Sequence, residues 1–203
     1  GPRKGKKFSL VCLILLSLIL LSGFSLKRNE SAEAILRKIP VQSTGRVKPF
    51  ESFAREVLLS VTGKTSFEGE SAAVTVWKWI AQPEIWHTQS FLPIRYRPLR
   101  DEFPLMVIQG KISPELILTH APFGEKVNEA LGKEKRKEFL TPIEKGRIEL
   151  YDQARLFRSI AQGALPGFFL NPRDPRAGWI SLAGLADPES RAFLESEYSA
   201  SAL

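Results

Sequence analysis

The sequence of 203 residues has little of the chemistry that most catalytic and metal sites need. It contains one cysteine, Cys12, and two histidines, His87 and His120. Cys12 lies inside an apolar N-terminal run, so the rest of the chain cannot form a disulfide, a cysteine zinc cluster or a thiol nucleophile. Neither histidine has a second histidine or a cysteine three or four residues away, and neither belongs to a Cys-x-x-Cys-His haem attachment motif. We therefore predict no metal site.

Catalytic motifs are absent as well. The sequence has no G-x-S-x-G elbow and no glycine-rich phosphate loop, and its serines and acids show no spacing typical of a triad or a carboxylate pair. The formal net charge is +7, but four of the 29 basic residues lie within residues 1–7, before the apolar run, which leaves 25 against 22 acidic residues in the remainder. Such a balance is ordinary for a protein surface. We predict neither an enzyme nor a nucleic-acid-binding protein.

One long hydrophobic run lies near the N-terminus. Residues 8–26 carry no charge and are rich in Leu and Ile, and about 20 such residues cross a ~30 Å hydrocarbon layer as a helix. The basic residues within 1–7 predict a cytoplasmic N-terminus by the positive-inside rule. We expect a transmembrane signal anchor at 8–26, a linker at 27–38 and an extracytoplasmic domain at 39–203.

A cleaved signal peptide is the competing interpretation of the same run. The Ala-Glu-Ala sequence at 32–34 offers a small-x-small cleavage site. Lys27, Arg28 and Glu30 disfavour it, because such charges rarely lie between the apolar run and the cut. An uncleaved anchor predicts a single-pass protein of the cell inner (cytoplasmic) membrane, with the bulk of the chain on the periplasmic side.

A segment rich in structure breakers precedes the first strong helix. Pro40, Gly45 and Pro49 interrupt regular structure three times within ten residues, and Arg46 and Lys48 lie between them. This composition predicts a rigid loop that presents two cations.

The helix after this loop has a strong apolar period. Pro49 suits a first helical turn because it has no N–H to leave unbonded, and Gly63 suits the left-handed residue that ends a helix. Arg55 and Glu56 lie off the apolar stripe. The stripe itself consists of Phe50, Phe53, Ala54, Val57, Leu58 and Val61.

The remaining pattern predicts a mainly α fold with a minor β element. Ser71 is a good N-cap for a helix to about Gln82 that buries Ala73, Val76, Trp77 and Ile80. A turn is expected at 83–90, a short edge strand at 91–97 paired with 105–108, and an irregular segment at 165–185. Further helices are predicted at 113–120, 125–140, 142–163 and from Asp187 onward.

The segment 39–69 also carries a resemblance. Its successive pieces are Gly45-Arg-Val-Lys-Pro-Phe, Phe53-Ala-Arg-Glu, Thr62-Gly-Lys and Phe67-Glu-Gly69, with a looser continuation through Trp77, Trp86 and Trp179. This pattern resembles the start of the extracytoplasmic N-terminal domain associated with CcsA/ResB-type (System II) cytochrome c biogenesis membrane proteins. The resemblance implies a role in haem attachment, with membrane subunits of that machinery and apocytochrome c as partners.

The same resemblance limits what this chain can do with haem. The haem-handling core of the family is a tryptophan-rich segment with histidines among transmembrane helices, whereas the four tryptophans here are scattered. We therefore expect no cofactor to be bound by this chain itself, and haem to be met through the complex. His87 is the weak haem candidate, because Trp86 beside it could supply an aromatic wall. A structural or surface role is the alternative for His87 and His120.

Two groups of charged residues remain as candidate contact sites. The first is the family motif, for which we weigh contact with a partner or an anionic group such as a haem propionate against a structural tie between loop and helix. The second is a basic strip at Arg95, Arg97 and Arg100, with a solvated strand face as its alternative. The motif residues are Gly45, Arg46, Lys48, Pro49, Arg55 and Glu56.

The sequence thus predicts a non-catalytic, membrane-anchored component or domain of the cytochrome c maturation machinery that contacts membrane subunits or apocytochrome. The alternative is a membrane-anchored structural or assembly protein unrelated to haem, which would bind a protein partner through the aromatic loop between Phe168 and Trp179.

Overall fold

The computed structural model of the chain describes residues 31–170, 178–188 and 192. The chain divides into two units, Gly1–Ala32 and Glu33–Leu203, and the first lies almost wholly outside the described residues. The predicted membrane span at 8–26 belongs to that first unit, so it lies outside them too. Most of the helix predicted from Asp187 onward is likewise outside the described residues.

The second unit begins with a short helix, a β-hairpin and a long helix. The hairpin replaces the predicted rigid loop: its two turn residues, Thr44 and Gly45, have φ of 53° and 74°, which is the type I′ geometry of tight hairpins. Paired strands satisfy the backbone groups that a loop would leave to water. The elements are α1 (Ala32–Lys38), β1 (Pro40–Ser43), β2 (Arg46–Pro49) and α2 (Phe50–Thr62).

The predicted apolar stripe of α2 is confirmed, because all six of its residues are buried. Gly63 ends the helix in the left-handed region at φ 76°, and its N–H donates to the Leu59 carbonyl over 2.8 Å. Pro49 occupies the N-cap position, one residue before the expected first turn. The period of 3.6 residues and the two boundary residues therefore determine this helix locally.

A second small hairpin leads into two further helices. The helix predicted from Ser71 is present, but its buried tryptophan is Trp79 and not Trp77, whose side chain is 38% exposed. The predicted turn after it is a short helix. These elements are β3 (Ser66–Phe67), β4 (Glu70–Ser71), α3 (Ala72–Ala81) and α4 (Pro83–Thr88).

The middle of the chain contains less strand than expected and more 3₁₀ helix. The strand predicted at 91–97 shortens to β5 (Leu92–Pro93), which pairs with β6 (Lys111–Ile112) and not with 105–108. Pro93 and Pro98 limit the strand because proline cannot donate to a ladder. A first 3₁₀ helix (Arg97–Glu102) follows β5.

Three helices then supply the second half of the core. The predicted helical turn at 113–120 is present and the long helix at 142–163 is confirmed within two residues, whereas the charged helix begins earlier than predicted. Pro122 and Gly124 lie inside that helix and do not end the one before it. The bounds are α5 (Pro114–Thr119), α6 (Ala121–Lys135) and α7 (Pro142–Ala161).

The segment predicted to be irregular at 165–185 instead adds two strands to the first hairpin. Gly167 pairs with Gln42 of β1, and the resulting antiparallel sheet has the order β2-β1-β7-β8. The paired strands β1 and β7 lie more than a hundred residues apart in sequence, which is why the local sequence pattern did not predict this sheet. The added elements are β7 (Gly167–Leu170), β8 (Trp179–Ser181) and a second 3₁₀ helix (Ala183–Ala186).

The core lies between α2, α3 and α7. Aromatic rings pack there at centroid distances of 5.2–5.5 Å in mostly edge-to-face pairs, as aromatic quadrupoles prefer. Trp79 and Phe157 are both fully buried. The central cluster consists of Trp79, Trp86, Phe91 and Phe157.

Two predictions about architecture need correction. The described residues are 59% helix and 16% strand and include a four-stranded antiparallel sheet, so the fold is an α and β mixture rather than mainly α with a minor β element. Across the described ranges, every helix is too short or too polar to cross a bilayer. The described helices thus do not include the transmembrane helix of the predicted fold class, and they conflict with the predicted location as a single-pass protein of the inner membrane. The run at 8–26, on which both predictions rest, lies outside the described residues.

Candidate functional site

The predicted motif residues lie together on the first hairpin and the first turns of α2. Lys48 of β2 places its Nζ atom 2.6 Å from Oε2 of Glu56. The Lys48 side chain is mostly buried and that of Glu56 is exposed, so the lysine stem covers apolar surface while its ammonium reaches the carboxylate. This ion pair fastens the hairpin to α2.

Glu51, in the first turn of α2, joins a second set of charges. Its Oε2 lies 3.3 Å from Arg37 Nε on α1, and its Oε1 lies 3.6 Å from Arg55 Nε one turn along α2. Glu51 is mostly buried while Arg55 is exposed. An acid in the first turn also complements the positive end of the helix. Arg55 therefore belongs to a link between α1 and α2.

The rest of the motif serves the hairpin or faces outward. Gly45 supplies the turn and Pro49 the N-cap of α2. Arg46 and Val47 are exposed on β2, Val47 to 57%. Arg46 has no ion pair with any residue in the described ranges. Of the motif's charged side chains, Arg46 is thus the one whose position suits contact with another molecule, and that contact stays a prediction.

The two histidines are held against phenylalanine rings. His87 on α4 is half-buried, and its ring lies 5.3 Å from that of Phe157 in an edge-to-face contact. His120 lies between α5 and α6, with its ring 5.2 Å from Phe103 and its Nδ1 buried without a hydrogen-bond partner. Among the described residues no group of three or more His, Cys, Asp and Glu side chains is placed to hold a metal ion.

Trp86 does not form the expected aromatic wall for a haem at His87. It is 8% exposed and turned into the core, 5.8 Å from Phe67 and 5.5 Å from Phe91 between ring centroids. A flat macrocycle would need an open face beside the imidazole, whereas core aromatic rings occupy this one. The surroundings of His87 therefore do not suit haem.

The basic strip is divided between two environments. Arg95 forms an ion pair with Glu149 of α7, whereas Arg97 and Arg100 lie on the exposed side of the first 3₁₀ helix. The strip is therefore not the strand face that the sequence suggested. Phe168, at the start of the predicted aromatic loop, belongs to β7 and packs 5.9 Å from Phe50. Residues 171–177 of that loop lie outside the described residues.

Sequence reasoning missed a polar network at the start of α7. Thr141 and Glu144 form a capping box: the Thr141 N–H donates to Glu144 Oε2 over 2.8 Å, and the Glu144 N–H donates to Thr141 Oγ1 over 3.4 Å. Lys133 of α6 places its Nζ 2.6 Å from Glu144 Oε1. The spacing Thr-x-x-Glu before a helix is the signature that could have revealed it.

This network changes the acidity of Glu144. The hydrogen bond from Lys133, followed by those from the Thr141 backbone and hydroxyl, lowers the pKa of Glu144 from 4.5 to about 2. The residue is only 8% exposed, so its carboxylate would be costly to bury without these partners. The arrangement holds α6 against α7 and has the character of a structural tie.

Comparison with known proteins gives one informative relative. No family model matches the chain. The chain is similar to Protein NrfI of Wolinella succinogenes, with 26% identity over 144 residues. The aligned region covers 68% of this chain but 15% of NrfI. The chain therefore corresponds to a small part of the length of that relative.

Proposed function

We propose that this chain is a non-catalytic component or domain of the cytochrome c maturation machinery. The observation that carries the proposal is the similarity to NrfI over 68% of the chain, which points to cytochrome c maturation. The resemblance of segment 39–69 to the CcsA/ResB-type biogenesis proteins is compatible with this proposal.

The proposed role is one of contact and not of chemistry. In the motif, Lys48 and Glu56 neutralise each other between β2 and α2, and Glu51 neutralises cations of α1 and α2. Such ion pairs hold the helices and strands in position, and their paired charges are not available to take part in a reaction. We propose that the chain contacts other subunits of the machinery or the apocytochrome, with Arg46 and Val47 at the exposed hairpin as part of the contact.

The test is deletion of the encoding gene, complementation, and measurement of haem-stained c-type cytochromes in whole-cell extracts. We expect the deletion to lower the amount of covalently attached haem and the natural chain to restore it. An unchanged cytochrome content after deletion would refute the proposed function.

Two variants separate contact from folding in the same assay. Arg46→Ala removes an exposed guanidinium that pairs with no described residue, so it should weaken complementation without lowering the unfolding midpoint. Lys48→Met removes a structural ion pair and should lower that midpoint instead. If Arg46→Ala complements fully, the hairpin is not the contact surface, although the assignment to cytochrome maturation would stand.

A further inference from the structure

The first 3₁₀ helix arranges its six residues in three rows. A 3₁₀ helix has three residues per turn, so side chains at positions i and i+3 eclipse each other. Two arginines consequently share one row. The rows are Arg97 with Arg100, Pro98 with Asp101, and Leu99 with Glu102.

The inward row fixes the orientation of the helix on the protein. Leu99 is 1% exposed, and the Glu102 carboxylate accepts hydrogen bonds from Arg147 of α7. Lys126 of α6 lies 3.5 Å from the same carboxylate. Glu102 is thereby engaged on the far side from the arginine row and does not neutralise it. The row of Arg97 and Arg100 faces solvent.

Arg97 and Arg100 differ from the neighbouring arginine in their charge environment. Arg95 forms an ion pair with Glu149 and is therefore neutralised. No carboxylate of the described ranges lies within ion-pair distance of Arg97 or Arg100. Their two positive charges therefore favour the approach of an anion from solvent.

Arg100 has a prepared position. Its Nη2 atom lies so close to Gly110 that a Cβ on that residue would be 2.7 Å away. Gln109 and Gly110 form a tight turn with φ of 51° and 76°, and Ile108 and Lys111 exchange two hydrogen bonds of 2.8 and 2.9 Å around it. The glycine therefore provides a flat backbone surface for the guanidinium. A group held in this way loses less freedom when it binds a ligand.

We propose that Arg97 and Arg100 bind an oxyanion group, a carboxylate or a phosphate, in the open depression that they line together with Pro98 and Asp101. The planar guanidinium donates two parallel hydrogen bonds to such groups. Because the site is exposed, its affinity is modest and falls as salt is added. This inference is independent of the proposed function.

Asp101 gives the site a built-in test. It lines the same depression but belongs to the adjacent row of the helix, and it forms no ion pair with either arginine. Its negative charge opposes the binding of an anion. Asp101→Asn should therefore bind the anion more tightly than the natural chain, whereas an adventitious surface interaction elsewhere would not respond.

In the experiment, the full chain is titrated at low ionic strength with inorganic phosphate and, separately, with succinate. Calorimetry measures the heat of binding during each titration. We expect saturable binding that weakens about tenfold in Arg97→Gln/Arg100→Gln, a loss of about 1.4 kcal/mol. The matched control is Arg155→Gln on α7, where an exposed arginine lies 5.8 Å from the Tyr151 ring centroid, and it should bind as the natural chain does.

Each outcome decides the proposal. Binding of phosphate alone, of succinate alone or of both supports it and identifies the chemical group. The proposal is overturned if neither probe binds saturably. It is also overturned if Arg155→Gln weakens binding as much as the double variant does, or if the double variant does not weaken binding. Circular dichroism of each variant establishes that the loss of binding is not a loss of fold.

Discussion

Glu102 and Arg147 form a nearly buried, two-pronged ion pair between the first 3₁₀ helix and α7. Arg147 Nη2 lies 2.5 Å and Nε 3.0 Å from Glu102 Oε1, with side-chain exposures of 15% and 10%. Lys126 adds a cation from α6 at 3.5 Å. One carboxylate thus holds three elements together, and the rows of the 3₁₀ helix depend on it.

Removal of either partner of this pair should be costly. Arg147→Met and Glu102→Leu should each lower the free energy of unfolding by about 3 kcal/mol, because the remaining charge loses its closest partner in a poorly hydrated place. The double variant Glu102→Leu/Arg147→Met should lose clearly less than the sum of the single losses. Urea unfolding of the four proteins measures this, and strictly additive losses would show that the pair does not act as a unit.

The ionisation of Glu144 should make stability depend on acid pH. Its folded pKa, about 2, lies below the ordinary 4.5 because of the hydrogen bonds from Lys133 and Thr141. A depressed carboxylate pKa stabilises the folded state at pH above 4.5, and this stabilisation disappears as the pH falls from 4.5 towards 2. Glu144→Gln should therefore be less stable than the natural chain at pH 7, with a difference that shrinks below pH 4.5.

The control for this pH effect is another glutamate nearby. Glu134 is an exposed residue of α6 and has no ion pair within the described part of the chain. Glu134→Gln should follow the natural chain at every pH in the same urea series. A constant difference between Glu144→Gln and the natural chain from pH 7 to pH 2.5 would contradict the assignment.

Replacing the glycine of each of three tight turns by alanine should lower stability, because each glycine has a left-handed backbone conformation. Gly45 and Gly69 have φ of 74° and 83°, and an added Cβ at either would meet no atom within 4 Å. Alanine at these positions should cost about 1–2 kcal/mol from left-handed strain alone. Gly110→Ala should cost about as much, because its Cβ would meet the far end of the flexible Arg100 side chain, which can move aside. Thermal unfolding compares the three variants.

Replacing Gly124 by alanine should raise stability instead of lowering it. Gly124 lies in α6 with equal space for a Cβ, so Gly124→Ala should stabilise the protein by up to about 1 kcal/mol through helix propensity. Loss of stability at Gly124 together with none at Gly45 would contradict this account of the turns.

The two neighbouring tryptophans of α3 should behave differently. Trp79 is fully buried among Trp86, Phe91 and Phe157, so Trp79→Ala should cost about 3–5 kcal/mol. Trp77 is 38% exposed. Trp77→Ala should therefore lower the free energy of unfolding by less than half as much as Trp79→Ala. Chemical unfolding midpoints measure both, and equal losses would mean that α3 is rotated relative to the structure.

The sequence was most informative where the pattern is local. All six predicted core positions of α2 are buried, because a sustained period of 3.6 residues admits only one buried face. In α3 the same reasoning selected Trp77 over Trp79. That helix is apolar on several faces, so periodicity alone could not decide which face meets α7.

The hairpins escaped prediction for two physical reasons. Their turns are Thr44-Gly45 and Glu68-Gly69, whereas the usual signal for this turn is Asn-Gly or Asp-Gly. Their strands are also only two to four residues long. The glycines that carry part of the family resemblance, Gly45 and Gly69, are now seen to be required by turn geometry.

The candidate site was predictable in its residues but not in its partners. The sequence named Lys48 and Glu56 and left open whether they bind a partner or tie two elements together. Their 2.6 Å contact depends on the hairpin that turns Lys48 towards α2, which the sequence did not predict. Arg97 and Arg100 were predicted as a strand face, because the prolines that produce a 3₁₀ helix there also suit an extended segment.

The position of β1 inside the sheet has a consequence for synthesis on the ribosome. Gln42 pairs with Gly167, so β1 and β2 emerge long before β7 exists. At a rate of about 5–20 residues per second the gap lasts roughly ten seconds. During that interval one edge of β1 has no strand to pair with, and the nascent chain must tolerate it or have it covered by a chaperone.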